Sequence, residues 1–220
     1  MSLFTGHDLT CIRGERRVFA QVSFSLDPGG ALLLQGANGS GKTSLLRLMA
    51  GLGRPAEGSI RWNDADIADD SETHNARLHF VGHGDTVKPA LSARENIAFW
   101  ADLRGGGDLP SPAEAGFAKA GPDAGLEAFA LGPLASVPGR FLSAGQRRRV
   151  NLARLAAAPA TLWLLDEPAT ALDSDSVARL RNAIARHRAG GGMVALSSHG
   201  ELDIPDAVTL GLSDFAEAAA

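Results

Sequence analysis

Residues Gly36, Ala37, Asn38, Gly39, Ser40, Gly41, Lys42 and Thr43 fit the pattern Gly-x-x-x-x-Gly-Lys-Thr without departure. Such a glycine-rich turn converges its backbone N–H groups on phosphate oxygens. An apolar run, Ala31 to Gln35, precedes it, and Ser44 to Ala50 reads as a helix after it. The loop therefore falls at a strand-to-helix junction, where the positive end of a helix adds to the attraction for phosphate. In that setting Lys42 contacts the β- and γ-phosphates of a nucleoside triphosphate and Thr43 ligates Mg²⁺. A plain glycine-rich turn is the competing reading, and the strand and helix on either side disfavour it.

A second acidic centre, Asp166 and Glu167, closes the apolar run Leu162 to Leu165. Neighbouring side chains on an extended chain point opposite ways. Asp166 is thus set to hold Mg²⁺ through its water shell, and Glu167 to polarise an attacking water. Taken alone, the pair also suits an ordinary helix start; the phosphate loop upstream favours the chemical reading.

The elements that must position these groups follow from the apolar pattern. Ala31 to Gln35, Leu162 to Leu165 and Met193 to Leu196 are short continuous apolar runs, each followed by polar or glycine-rich residues and then by helical periodicity. That alternation predicts an α/β fold with a mostly parallel sheet flanked by helices. Cys11 to Arg13 and Arg17 to Leu26 predict an antiparallel amino-terminal sheet, to which Ser59 to Trp62 adds a strand. Between about Gly84 and Ala156 the texture becomes helical, broken at Gly105 to Pro110 and Gly121 to Gly125, and reads as a small helical subdomain.

Composition narrows the classes. With 220 residues, 45% of them hydrophobic, the chain has ample material for a buried core. A net charge of -4 leaves no overall basic field for nucleic acid or an anionic lipid surface. The single cysteine, Cys11, excludes an internal disulfide framework and suits a reducing compartment. The first residues lack the charged start and apolar stretch of a secretory signal, so export is not expected. No apolar run approaches the roughly 20 residues that cross a bilayer, so any membrane work falls to another chain.

The phosphate loop alone does not separate kinases and GTPases from other nucleotide-hydrolysing proteins. Leu142-Ser143-Ala144-Gly145-Gln146, followed by Arg147 to Arg154, resembles the signature Leu-Ser-Gly-Gly-Gln of ATP-binding cassette proteins, with Ala144 in place of a glycine. Asp173, after Asp166 to Thr170, and His199, 33 residues beyond Asp166 (199 − 166), follow in the order of that family. The resemblance covers almost the whole chain. It implies the cassette ATPase fold as one domain over 1–220, with a nucleotide-binding core and its antiparallel part at about 1–83 and 157–220. The helical subdomain, at about 84–156, carries the signature.

It further implies ATP and Mg²⁺ as cofactors, and a head-to-tail dimer in which Ser143, Gly145 and Gln146 close over the γ-phosphate held by a second copy. Asp173 resembles the dimer-contact loop, and His199 the switch histidine at the γ-phosphate and attacking water. Lys42, Glu167 and His199 are then the catalytic set. Arg147 to Arg149 suit a solvated basic face or a nucleic-acid patch; the resemblance instead puts this helix beside nucleotide, with no nucleic-acid partner.

Two positions depart from the family pattern. His83, in Phe80-Val81-Gly82-His83, stands where the family has a glutamine that touches Mg²⁺ and reports to the membrane subunit. The placement is supported by Leu91 to Asn96, similar to Leu-Thr-Val-Arg-Glu-Asn of the family. Imidazole there brings pH sensitivity to the coupling position, or His83 is a tolerated spacer. The aromatic residue that usually stacks on adenine has no tyrosine to supply it in this chain. Arg13, with its planar guanidinium, and Phe19 are the candidates.

Within the family, the loop and helix from Gly36 to Leu48, Val81 to His83, Leu142 to Val150 and Ala160 to Pro168 are similar to the branch serving bacterial cytochrome c maturation. That branch implies membrane-embedded partner subunits, a peripheral place on the cytoplasmic face of the inner membrane, and hydrolysis coupled to haem export or to release of a haem-loaded carrier. An ATPase subunit for another small substrate is the alternative.

Overall fold

The computed structural model describes residues 4–84, 86–105, 121–158, 160–198, 200 and 202–215. In chain order the elements are β1 (Phe4–Arg13), β2 (Arg16–Leu26), β3 (Ala31–Gln35), α1 (Lys42–Met49), β4 (Glu57–Trp62), β5 (Ala65–Asp66), α2 (Ser71–Ala76), β6 (Leu78–Val81), α3 (Ala93–Gly105), α4 (Gly121–Ala128), α5 (Ala144–Ala157), β7 (Leu162–Leu165), α6 (Ser174–Ala189), β8 (Met193–Ser197) and β9 (Val208–Gly211).

The three continuous apolar runs become β3, β7 and β8, the centre of a parallel sheet ordered β6-β7-β8-β3-β9. Central parallel strands are buried on both faces, which is why their sequences are apolar throughout and do not alternate. A second sheet, ordered β2-β1-β4-β5, is antiparallel; buried and exposed positions alternate in the second half of β2 and at the end of β4, whereas β1 buries its residues in runs. Cys11 is buried within it.

The parallel sheet separates two apolar clusters. On one face Leu32, Leu34, Leu162, Leu164, Met193 and Ala195 meet α1 and the antiparallel sheet. On the other, Ala31, Trp163, Leu165, Val194 and Leu196 meet α3, α4, α5 and α6. The α/β class with both sheets matches the expectation.

Details differ at several points. Helix α1 begins at Lys42, two residues before the apolar periodicity, because Gly41, at φ 102°, ends the loop and releases the chain into the helix. Strands β5 and β9 were not foreshadowed: one has two residues, and the other is an edge strand with no buried position, so neither carries an apolar run. The Gly/Pro break expected over 105–110 lies, from 106 on, outside the described residues.

The segment Leu91 to Asn96 pins the start of α3. Ser92 N–H and Oγ both donate to Glu95 Oε2 at 2.7 Å, and Glu95 N–H returns to Ser92 Oγ, a reciprocal cap. Buried Asn96 accepts from Lys88 N–H at 2.7 Å and donates to the carbonyls of Lys88, Leu91 and Ser92. The route from β6 to α3 is thereby fixed at its α3 end.

Candidate nucleotide site

Open parallel sheets bind ligands beyond the carboxyl ends of their strands. Here those ends carry His83 after β6, Asp166 and Glu167 after β7, Ser197 at the end of β8 and the phosphate loop after β3.

The loop is built tightly from below. A Cβ on Gly36, at φ 145°, would lie 2.6 Å from Ser40 Oγ. One on Gly41 would lie 2.7 Å from the Phe19 ring and 2.8 Å from Val18, so the loop rests directly on β2. Lys42 is buried, and its Nζ donates to the carbonyls of Gly36 at 2.7 Å and Ala37 at 3.1 Å, spanning the loop. Ser40 Oγ is buried with no hydrogen-bond partner. Ala37, Asn38 and Gly39 are exposed at the rim.

Asp166 is buried, and both its oxygens are engaged. Oδ2 accepts from Thr43 Oγ1 at 2.8 Å, and Oδ1 accepts from Ser197 Oγ at 2.8 Å. The same Ser197 Oγ accepts from Glu167 N–H at 2.9 Å. A strand lies between β3 and β7, and its last residue bridges the two acidic positions. Glu167 is partly open, has φ 45°, and turns its carboxylate toward exposed His83, with Nδ1 to Oε2 at 3.6 Å. Asp166 and Glu167 thus turn to different partners, although the strand ends at Leu165 and Glu167 is left-handed where the sequence suggested an extended chain.

Arg148 closes the underside of this turn. It is 8% exposed, and its guanidinium donates to four carbonyls: Gly82 at 2.9 Å, Asp166 at 3.1 Å, Glu167 at 2.8 Å and Pro168 at 3.3 Å. Arg147 donates to the Leu142 carbonyl and Arg149 to the Phe129 carbonyl. The basic run is therefore an anchoring device, and the solvated-face reading of Arg147 to Arg149 is corrected.

At the start of α5, exposed Ser143 accepts from Gln146 N–H at 3.3 Å, and the Gln146 side chain accepts from Ser143 N–H at 2.8 Å. This reciprocal cap holds the turn open to solvent with Gly145 against the Ala171 carbonyl, where a Cβ would come within 2.9 Å. Asp173 caps α6 through Ser176 N–H at 2.8 Å, and the bonds from Ser176 hold its carboxyl below the usual carboxylate range. Arg13 is exposed at the end of β1, opposite Arg16, whereas Phe19 is fully buried under the loop. His199 lies outside the described residues.

Residues 19–170 match the ABC transporter family. The chain belongs to that family. A cytochrome c biogenesis ATP-binding export protein, CcmA, of Rhodospirillum rubrum is 56% identical over 215 residues, covering 98% of this chain and 88% of that protein. Its namesake in Paramagnetospirillum magneticum is 54% identical over 217 residues, covering 99% and 97%. Among solved structures, a putative ABC transporter ATP-binding protein from Pyrococcus furiosus has a TM-score of 0.79 at 24% identity, covering 98% of this chain and 100% of that one. Among the described residues no helix is long and apolar enough to cross a membrane.

As an ABC protein the chain binds nucleotide, and the loop geometry suits it. The unpartnered Ser40 hydroxyl and the Lys42 ammonium, resting on carbonyls of its own loop, are donors that phosphate oxygens satisfy. The Thr43 hydroxyl and the Asp166 carboxylate meet at the loop's edge as an all-oxygen pair, the donor type that Mg²⁺ takes.

Two residues with evident roles, Ser197 and Arg148, escaped sequence reasoning. Ser197 sits in an apolar strand, where a buried hydroxyl needs a partner, and that was the available signal. Arg148 had none, because its partners are main-chain carbonyls distant in sequence.

Proposed function

We propose that this chain is the ATP-hydrolysing subunit of a bacterial cytochrome c biogenesis transporter, peripheral to the cytoplasmic face of the inner membrane. In that role it couples hydrolysis to haem export or to release of a haem-loaded carrier. The similarity to CcmA proteins along nearly the whole chain carries this reading.

In the proposed mechanism the loop amides from Gly36 to Gly41 and the Lys42 ammonium bind the β- and γ-phosphates of ATP. Thr43 and Asp166 would hold Mg²⁺, which neutralises charge on the phosphate oxygens when bound. Glu167, open to solvent beside His83, orients and polarises the attacking water, and His199 contributes at the γ-phosphate. Arg13 stacks on adenine in place of an aromatic ring. The core at about 1–83 and 157–220 holds the nucleotide, and the helical part at about 84–156 presents the signature turn.

Ser143 and Gln146 spend their side-chain bonds on capping α5, and the exposed amino end of that helix is left open to solvent beside the Ala171 carbonyl. A second copy supplies its ligand: two chains join head to tail, each turn closing on the ATP held by the other. His83 sits where the catalytic carboxylate meets the loop toward the membrane partners, and passes their state to it.

The test is deletion of the gene in an organism with no second copy, with assay of c-type cytochromes. Their loss, restored by the wild-type chain, is expected. Normal cytochrome levels would reassign the subunit to another small substrate.

A further inference from the structure

Glu167 adopts a left-handed backbone conformation, φ 45°, which non-glycine residues disfavour. Such a conformation persists only where surrounding contacts over-determine it. At Glu167 those contacts include the bond from Thr170 N–H to the Glu167 carbonyl at 3.2 Å, the bond from Glu167 N–H to Ser197 Oγ, and the guanidinium of Arg148, which takes the carbonyls of Asp166, Glu167 and Pro168 at once.

The remaining Arg148 bond goes to the Gly82 carbonyl, beside His83. One side chain on the signature helix therefore grips both the turn that carries the carboxylate and the loop that carries its imidazole neighbour. Two further residues on the same face of α5 extend the grip to β6 and the loop after it: Asn151 accepts from Thr86 Oγ1 at 2.7 Å, and Arg154 donates to the Phe80 carbonyl.

We propose that Arg148 is a positioning residue for ATP hydrolysis, holding the strained turn of Glu167 and the His83 loop in register with the signature helix. The inference rests on Glu167 as the residue that polarises water. It adds that the residue five places after Ser143 sets the geometry of that carboxylate within the same chain. Movement of the first turns of α5 is thereby transmitted to Glu167 directly, without passing through the phosphate loop.

Only a planar fork reaches four carbonyls from one side chain, so lysine preserves the charge and loses the clamp. The experiment measures steady-state ATP hydrolysis and ATP affinity for Arg148→Lys and Arg148→Gln, in the full chain with its membrane partners, and for Arg148→Lys in a Glu167→Gln background.

A fall in kcat of about tenfold to a hundredfold, with ATP affinity within about twofold, is expected for the single variants, since small misplacements near reacting groups cost that much. In the Glu167→Gln background the further loss is expected to be under about twofold, because residues acting as a unit are not additive. An unchanged kcat, an equal loss in both backgrounds, parallel loss of ATP binding, or failure of both variants to fold would each overturn the inference. Wild-type hydrolysis by Glu167→Gln alone would instead remove its premise.

Discussion

At the scale of single residues, the site divides labour by burial. Asp166 is buried and its two oxygens are tied to Thr43 and Ser197, so it is fixed; Glu167 is partly open, with its carboxylate 3.6 Å from the ring of exposed His83, so it is accessible to water. Glu167→Gln removes the carboxylate proposed to polarise water and keeps the shape and the N–H bond to Ser197. Hydrolysis is expected to fall by about 10² to 10⁴-fold with ATP still bound, measured by phosphate release and nucleotide retention. The same variant is expected to hold ATP between two copies, so sizing in ATP and Mg²⁺ should show a dimer; a monomer, even with membrane partners restored, would defeat the head-to-tail arrangement. The loop and the acidic pair could be read in advance because each is contiguous and its chemistry is local. Arg148 and Ser197 could not, because their function is defined by carbonyls and carboxylates that only the fold brings to them.

At the scale of elements, α6 is held against the parallel sheet by a buried stack. His187 lies face to face with Trp163 of β7, ring centroids 3.8 Å apart and 6° from coplanar, and its Nε2 is 3.1 Å from the Met193 carbonyl of β8. Gly192 admits the ring: a Cβ there would come within 2.2 Å of it. Burial pushes the His187 pKa down from 6.5 to about 4. Burial also lowers that of His74, whose Nε2 is 2.9 Å from the Met49 carbonyl. Both are groups with folded pKa values below the unfolded ones, so between about 4 and 6.5 the unfolded chain holds more protons and stability rises with pH. For His187 alone the loss from pH 7.5 to pH 5 is about 2 kcal/mol, approaching about 3 kcal/mol at lower pH. Urea midpoints across that range should fall accordingly, and His187→Gln should flatten the slope to the share left by His74. Strands β3, β7 and β8 at the centre of this sheet were readable because continuous apolar runs have few other uses in a folded chain; edge strand β9, with no buried position, was not. The stack was not, since a histidine near a helix end and a tryptophan in a strand each have many possible neighbours.

At the scale of the whole molecule, the pleat makes one cooperative unit from two cores. Successive residues of β7 and β8 alternate between the clusters: Leu162 and Leu164 enter one, Trp163 and Leu165 the other, and Met193, Val194, Ala195 and Leu196 repeat the pattern. No central strand can leave the sheet without opening both layers. Helices α3, α4 and α5 share the cluster of Trp163, and α5 is bonded by Arg148 and Arg154 to the ends of β6 and β7, so the helical part is tied into the same unit. Size alone would allow separate transitions in a chain of 220 residues. The shared strands argue against them. Trp62 reports on the cluster facing the antiparallel sheet, Trp163 on the opposite one, and Trp100 stacks under Arg154 at the α3–α5 contact. Three variants, each retaining one of these tryptophans and carrying phenylalanine at the other two, should give denaturant transitions that each coincide with the loss of far-ultraviolet circular dichroism in the same variant, without nucleotide. A fluorescence midpoint for Trp100 displaced below the dichroism midpoint of its own variant would show the helical part unfolding independently, and would mean that its bonds to β6 and β7 are too weak to carry motion between the first turn of α5 and the carboxylate of Glu167.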